Sequence, residues 1–217
     1  MTESASGIIV RTRPLTETSL IVHWLTPEIG RIATVAKGAR RTKSPFAGKL
    51  DLFYAAEFSF SRSRRSDLHN LRELKLHETH GAIREDLAKL QQAAYAVNFL
   101  ELATEPETPL PEIFTLMRDF LKALDEAVPA PQNIFAFELQ LLHALGLAPD
   151  LAQARLTPGA KKIIAVLLPA DGKIPAGLQL SHAQTGELRE WLGGCLIAHL
   201  GRLPRGRASV VGGAAEK

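Results

Sequence analysis

The chain has 217 residues, 46% hydrophobic and 23% charged, enough to bury one large core or two modest ones without covalent staples. A single cysteine, Cys195, excludes an intrachain disulfide and a cysteine-built zinc site, and fits a reducing cytoplasm. No stretch approaches the ~20 apolar residues that cross a bilayer, and no basic start precedes an apolar run, so a soluble protein, neither exported nor anchored, is expected.

The first 80 residues read as β. Gly7–Thr12, Ser19–Thr26 and Arg31–Ala36 are short β-branched runs separated by Pro14–Thr18 and by the turn Pro27-Glu28-Ile29-Gly30, which predicts a meander. Leu50–Ser61 places Phe58 and Phe60 in period two, and Asp67–Glu78 alternates around Leu74 and Leu76, although Leu68, Leu71 and Leu74 also fit a helix. Arg62–Ser66 joins these last two as a turn. Five strands in so short a stretch predict a small closed or half-closed barrel, because a flat sheet would expose two long edges.

From Gly81 the period turns helical. Ile83, Leu87, Leu90, Ala94, Val97 and Leu100 mark one helix ending before Pro106, and Pro111 opens a second, with Ile113, Phe114, Met117, Phe120, Leu121 and Leu124 inward, which Pro129-Ala130-Pro131 stops. Phe135, Leu139, Leu142 and Leu145 mark a third before Gly146, Thr157-Pro158 caps a fourth running to about Leu168, and a last spans about His182–Leu200. Ala208–Lys217 is small-residue rich and expected to fray. The predicted fold class is α+β, with a β-barrel domain over residues 1–80 and a helical domain over 81–217.

The charge is segmented far more than the net +3 suggests. Residues 1–80 hold 13 basic and 8 acidic side chains, residues 81–155 hold 5 and 11, and residues 156–217 hold 8 and 4. The sharpest feature is Val35–Lys49, VAKGARRTKSPFAGK, which contains no acid. From Arg31 to Arg65 nine cations (Arg31, Lys37, Arg40, Arg41, Lys43, Lys49, Arg62, Arg64 and Arg65) face only Asp51 and Glu57. Such a row on a small barrel suits a polyanion, since each cation that neutralises a phosphate releases condensed counterions. Gly38 and Gly48 would let the backbone turn or approach a phosphate, and Trp24, Phe46, Phe53 and Tyr54 are candidates for stacking on bases.

Catalytic patterns are weak. His77 and His80 straddle a predicted strand end without a nearby cysteine, and Cys195 four residues before His199 lies among Trp191, Leu192 and Leu196, where a small buried apolar residue is expected. Gly38 lacks P-loop spacing, and Glu105 and Glu107 flank Pro106 as solvated acids. A metal-dependent nuclease would need several converging carboxylates, which the basic domain does not offer. Neither enzymatic chemistry nor a cofactor is expected.

The ordered series over Gly7–Phe53 resembles the bacterial RecO family. It consists of a strand, Arg13 followed by Glu17-Thr18, a second strand ending in Thr26-Pro27 with Gly30, then Ala36-Lys37-Gly38-Ala39-Arg40-Arg41 and Ser44 with Phe46. The likeness continues more thinly at Phe137–Gly146 and Arg202–Arg207. It implies an N-terminal OB-fold before a helical domain, binding of single- and double-stranded DNA, annealing of complementary strands and, with RecR, assistance to RecA on DNA coated by single-strand-binding protein. It also implies a cytoplasmic, nucleoid-associated protein. Lys37, Gly38, Arg40, Arg41 and Lys43 match the family's DNA-contacting loop, and Arg31, Lys49, Arg64 and Arg65 extend the expected surface. Many members carry a cysteine-rich zinc module after the third helix; here Leu147–Thr157 passes to the next helix without a cysteine. An alternative is an adaptor for the acidic C-terminal tail of single-strand-binding protein, with Arg118, Lys122, Arg202, Arg205 and Arg207 as rim cations.

Overall fold

The structure is a computed structural model that describes residues 2–168 and 177–212. The chain divides into two compact units, one of residues 1–80 with 105–115 and one of residues 81–104 with 116–217.

In the first unit, strands β1 (Thr2–Pro14), β2 (Leu20–Thr26), β3 (Gly30–Ala36), β4 (Ala55–Ser61) and β5 (Leu68–Glu78) close into a barrel in the order β1-β2-β3-β5-β4. All neighbours are antiparallel except β3 and β5. The long β1 closes the barrel by serving two partners: Thr2–Ile8 pairs with β4, and Ile8–Pro14 pairs with β2 across a register shift between Ile9 and Arg11. This five-stranded topology is the OB-fold.

The barrel interior holds Ile9, Val22, Trp24, Ile32, Tyr54, Phe58, Phe60 and Leu71. Trp24 stacks on Phe58 with centroids 4.0 Å apart, and its indole N–H donates to the Thr34 hydroxyl at 2.9 Å, so its polar edge is satisfied without water. Residues 50–54 are not a strand as their apolar run predicts. Phe53 adopts φ 66°, its N–H donates to the Ile9 carbonyl at 2.8 Å, and the Ile9 N–H donates to Tyr54 at 2.9 Å. This pairing falls where β1 changes partner, so the ladder of β4 begins only at Ala55. The segment Asp67–Glu78, ambiguous by period, forms β5, because pairing to both β3 and β4 overrides its leucine spacing.

In the second unit the predicted first helix is two, α1 (Gly81–Glu85) and α2 (Leu87–Ala103). Asp86 separates them: its backbone is extended and its carboxylate accepts the N–H groups of Ala88 and Lys89, capping α2. Next come α3 (Pro111–Glu126), of which residues 116–126 belong to this unit, α4 (Pro131–Ala144), α5 (Pro158–Leu167) and α6 (His182–Leu200), the last opened by a Ser181–Gln184 capping box and closed by Gly201 at φ 74°. Phe99, Phe135, Phe137, Leu139 and Leu142 are buried at the centre of this unit. No cysteine lies in residues 145–157, which join α4 to α5 without helix or strand, so the cysteine-rich module is absent.

The expected fraying from Ala208 is corrected for the described part of that stretch. Arg207–Val211 forms a short helix, α7, with Arg207, Val210 and Val211 buried. Residues 213–217 of that expectation lie outside the described residues.

Candidate nucleic-acid interface

The cationic loop is a series of consecutive turns. Arg41 N–H donates to Gly38, Ser44 to Arg41, Ala47 to Ser44 and Lys49 to Phe46, at 3.0 to 3.1 Å. Gly38 and Gly48 supply the left-handed positions these turns require, at φ 69° and 71°. Two apolar side chains pin the loop: Ala39 and Phe46 join the barrel core. Everything charged is left outside, with Lys37, Arg40, Arg41, Lys43 and Lys49 all exposed. Among the described residues none of these five forms an ion pair with a carboxylate. Presenting several like charges side by side has an electrostatic cost, which a polyanion would offset.

The β1–β2 turn is fastened to this loop. Arg40 N–H donates to the Thr18 carbonyl at 3.0 Å, the Arg40 guanidinium to the Thr16 carbonyl at 3.3 Å, and Gly38 N–H to the Ser19 hydroxyl at 3.5 Å. The segment Arg13–Ser19, which the sequence marks only as a motif, is therefore the bed on which the loop lies.

The remaining expected residues are elsewhere on the barrel. Arg64 and Arg65 lie exposed in the β4–β5 turn. That turn precedes β5, whose Leu68 sits opposite Ala33 in parallel register, so it lies toward the start of β3, whereas the cationic loop leaves its end. Arg31, half-buried near the start of β3, lies between these groups along the strand. The seven residues of β3 span roughly 20 Å at the usual strand rise, so the expected cations form two clusters rather than one.

Arg62, counted in the basic window, is neutralised. Its guanidinium donates to Glu3 at 2.9 Å and to Glu107 at 2.8 Å, bonds that hold its pKa above the ordinary value. Glu107 is thus more than the solvated acid its sequence context suggests. It is also 3.3 Å from the Nε2 of buried His69, and its N–H donates to the Arg31 carbonyl at 2.9 Å. Residues 105–108 lie as a strap on the barrel, so close that a Cβ on Gly30 would stand 2.1 Å from the Thr108 carbonyl oxygen.

The stacking candidates are corrected too. Trp24, Phe46, Phe53 and Tyr54 are all buried, being apolar anchors of the barrel and its loops rather than open platforms. In the second unit, Arg207 is not a rim cation. It is 5% exposed, donates to both Glu138 oxygens at 2.7 and 3.0 Å and to the Arg189 carbonyl at 2.9 Å, while Tyr95 donates to the same carboxylate. Burial pulls the Arg207 pKa down, but Glu138 more than offsets this. Arg118 is exposed and paired with Asp119, and Arg202 and Arg205 are exposed.

The other candidate chemistry does not assemble. His77 is exposed and His80 buried, Cys195 is half-buried with its thiol pKa pushed up by burial, and His199 is exposed. Among the described residues no group of three or more His, Cys, Asp or Glu could hold a metal ion, and no helix is long and apolar enough to cross a membrane.

A closed OB barrel with exposed cations on a turn-rich loop, none paired with a carboxylate among the described residues, defines an OB-fold protein with a positively charged surface. The chain belongs to the RecO family: residues 1–80 match the family described as Recombination protein O N terminal, and residues 84–154 match Recombination protein O C terminal. Among similar proteins, the DNA repair protein RecO of Anaeromyxobacter dehalogenans is 34% identical over 146 residues, covering 67% of this chain and 58% of that protein. The protein of the same name from Rhodopirellula baltica is 34% identical over 143 residues, 66% of this chain and 53% of that one. The one from Exiguobacterium sibiricum is 32% identical over 151 residues, 70% and 60%. The matches thus span little more than half the length of these relatives.

Proposed function

We propose that this chain acts in recombinational DNA repair as a non-catalytic mediator that binds single- and double-stranded DNA and anneals complementary strands. With RecR, it would help RecA replace single-strand-binding protein. The observation that carries the reading is the loop Lys37–Lys49, whose cations are exposed, have no carboxylate partner among the described residues, and stand on a backbone fixed by turns and two buried anchors. A pre-arranged cationic loop loses little conformational entropy on meeting a phosphate backbone, and its contacts read charge rather than sequence. Arg64 and Arg65 in the β4–β5 turn, with Arg31 near the start of β3, give a second point of attachment, compatible with a strand of several nucleotides drawn across the barrel. Neutralising the charge of two strands at one surface would also ease their approach to each other, which is the physical requirement for annealing.

Annealing of complementary labelled strands, measured across a salt series with and without single-strand-binding protein on the DNA, tests the reading. Annealing that is fast at low salt, slows steeply as salt rises and persists on coated strands is expected. No acceleration on bare strands at low salt would overturn it. Binding to the acidic tail peptide without DNA binding would instead favour the adaptor.

A further inference from the structure

Between the β1–β2 turn and the start of the cationic loop lies a concavity of about 380 Å³, lined by Leu15, Thr16, Thr18, Ser19, Val35, Lys37, Gly38 and Arg41. Its chemistry is not that of the open row of charges beyond it. Thr16 Oγ1 accepts the N–H groups of Thr18 and Ser19 at 3.3 and 3.1 Å, and Ser19 Oγ accepts the Gly38 N–H at 3.5 Å. A hydroxyl that already accepts still has its own proton to donate. Among the described residues no hydrogen bond is formed by the Thr18 hydroxyl. Three hydroxyl donors therefore stand beside Lys37 and Arg41, neither of which has a carboxylate partner among the described residues. Glu17, exposed in the same turn, is not in the lining.

Hydroxyl donors do little for a diffuse cloud of negative charge, which cations alone attract. They matter for a group with several acceptor oxygens held in place, and a phosphate offers these. Leu15 and Val35 give the same concavity an apolar wall, against which a sugar could rest.

We propose that this concavity is a seat for one phosphate group of a nucleic-acid strand, with Thr16, Thr18 and Ser19 donating hydroxyl hydrogen bonds and Lys37 and Arg41 supplying charge. The proposal rests on the reading that the barrel binds DNA, and deepens it. The rest of the loop attracts backbone at any register, whereas the seat fixes one phosphate and so sets where the strand crosses. The phosphate can be a terminal monoester or an internal diester, and both meet the same donors. The monoester carries more charge at neutral pH and would be held more tightly.

The test is an amide NMR titration of the full chain with inorganic phosphate, then with roughly eight-nucleotide oligothymidylates bearing a 5′-phosphate or a 5′-hydroxyl. Saturable shifts confined to residues 15–19 and 37–41 are expected with inorganic phosphate, and with both oligonucleotides these residues should shift at saturation together with the rest of the cationic surface. Tighter binding of the 5′-phosphorylated strand assigns the terminal group, and equal binding assigns an internal one. Thr18→Val removes no charge and none of the hydrogen bonds described above. It should weaken phosphate and oligonucleotide binding about tenfold, as expected for losing one hydrogen bond to an ion, with an unchanged salt slope. Unsaturable shifts spread equally over Lys43, Lys49, Arg64 and Arg65, or unaltered affinity in a folded Thr18→Val variant, would overturn the seat. In that case steep salt dependence of oligonucleotide binding would leave the broader DNA reading standing, and absence of oligonucleotide binding would remove both.

Discussion

Two arginine-bearing parts of one barrel, the loop Lys37–Lys49 and Arg62 just after β4, meet opposite fates. In the first, no acid is present and every cation points outward, because Ala39 and Phe46 occupy the only inward positions. In the second, Arg62 is held by Glu3 and Glu107, and Glu107 arrives from the strap at residues 105–108. Arg207 extends the contrast, being buried against Glu138 in the helical unit. Sequence charge is therefore a poor measure of available charge: an arginine attracts a polyanion only where the fold has not already given it a carboxylate.

Substituting the arginines one site at a time separates paired from available charge. The largest effect on stability is expected at the buried one. Arg207→Ala leaves the buried Glu138 without its positively charged partner and should cost about 3–5 kcal/mol, read as a lower midpoint in chemical denaturation. An unchanged midpoint would mean that the carboxylate finds another partner. Arg40→Ala with Arg41→Ala should change stability by less than about 0.5 kcal/mol, since both side chains are exposed, yet weaken DNA binding about tenfold at moderate salt. Arg62→Ala should do the reverse: its half-exposed pairs are screened by solvent, so a loss of about 0.2–1 kcal/mol is expected, with little change in DNA affinity.

The smallest effect concerns pH. Burial first, then the charge of Glu138, pushes the Tyr95 hydroxyl well above its ordinary value of 10.0. The fold favours neutral Tyr95, so this contribution is complete below the unfolded value and is lost as pH climbs above it. Melting temperature should fall more steeply above pH 10 in the wild type than in Tyr95→Phe, which starts lower for want of the hydrogen bond to Glu138. Parallel curves would contradict the assignment.

The sequence was informative wherever structure is set locally. Alternating β-branched residues announce β1 to β3, Thr157-Pro158 announces α5, and the acid-free run announces an exposed cationic loop. It was silent where distant partners decide. Nothing near Phe53 reveals its left-handed backbone, which accompanies its hydrogen bond to Ile9, 44 positions earlier. Arg62 and Glu107 are separated by 45 positions, and Arg207 and Glu138 by 69, so both pairs are invisible to a local reading. The aromatic candidates failed for the opposite reason: a small barrel needs large rings to fill its interior, and Trp24, Phe53 and Tyr54 are consumed there. Asp86 could have been read as a cap, since Ala88 and Lys89 follow it at the spacing a capping carboxylate serves.

The most direct test of the account is the salt dependence of oligonucleotide binding for the wild type, Arg40→Ala/Arg41→Ala and Arg62→Ala, measured side by side. Each lost phosphate contact should reduce the slope of log affinity against log salt by about one unit, so the loop variant should be shallower by up to ~2 and the Arg62 variant unchanged. Equal slopes for the wild type and a folded loop variant, or a slope reduced only by Arg62→Ala, would contradict the claim that unpaired charge on the loop holds the DNA.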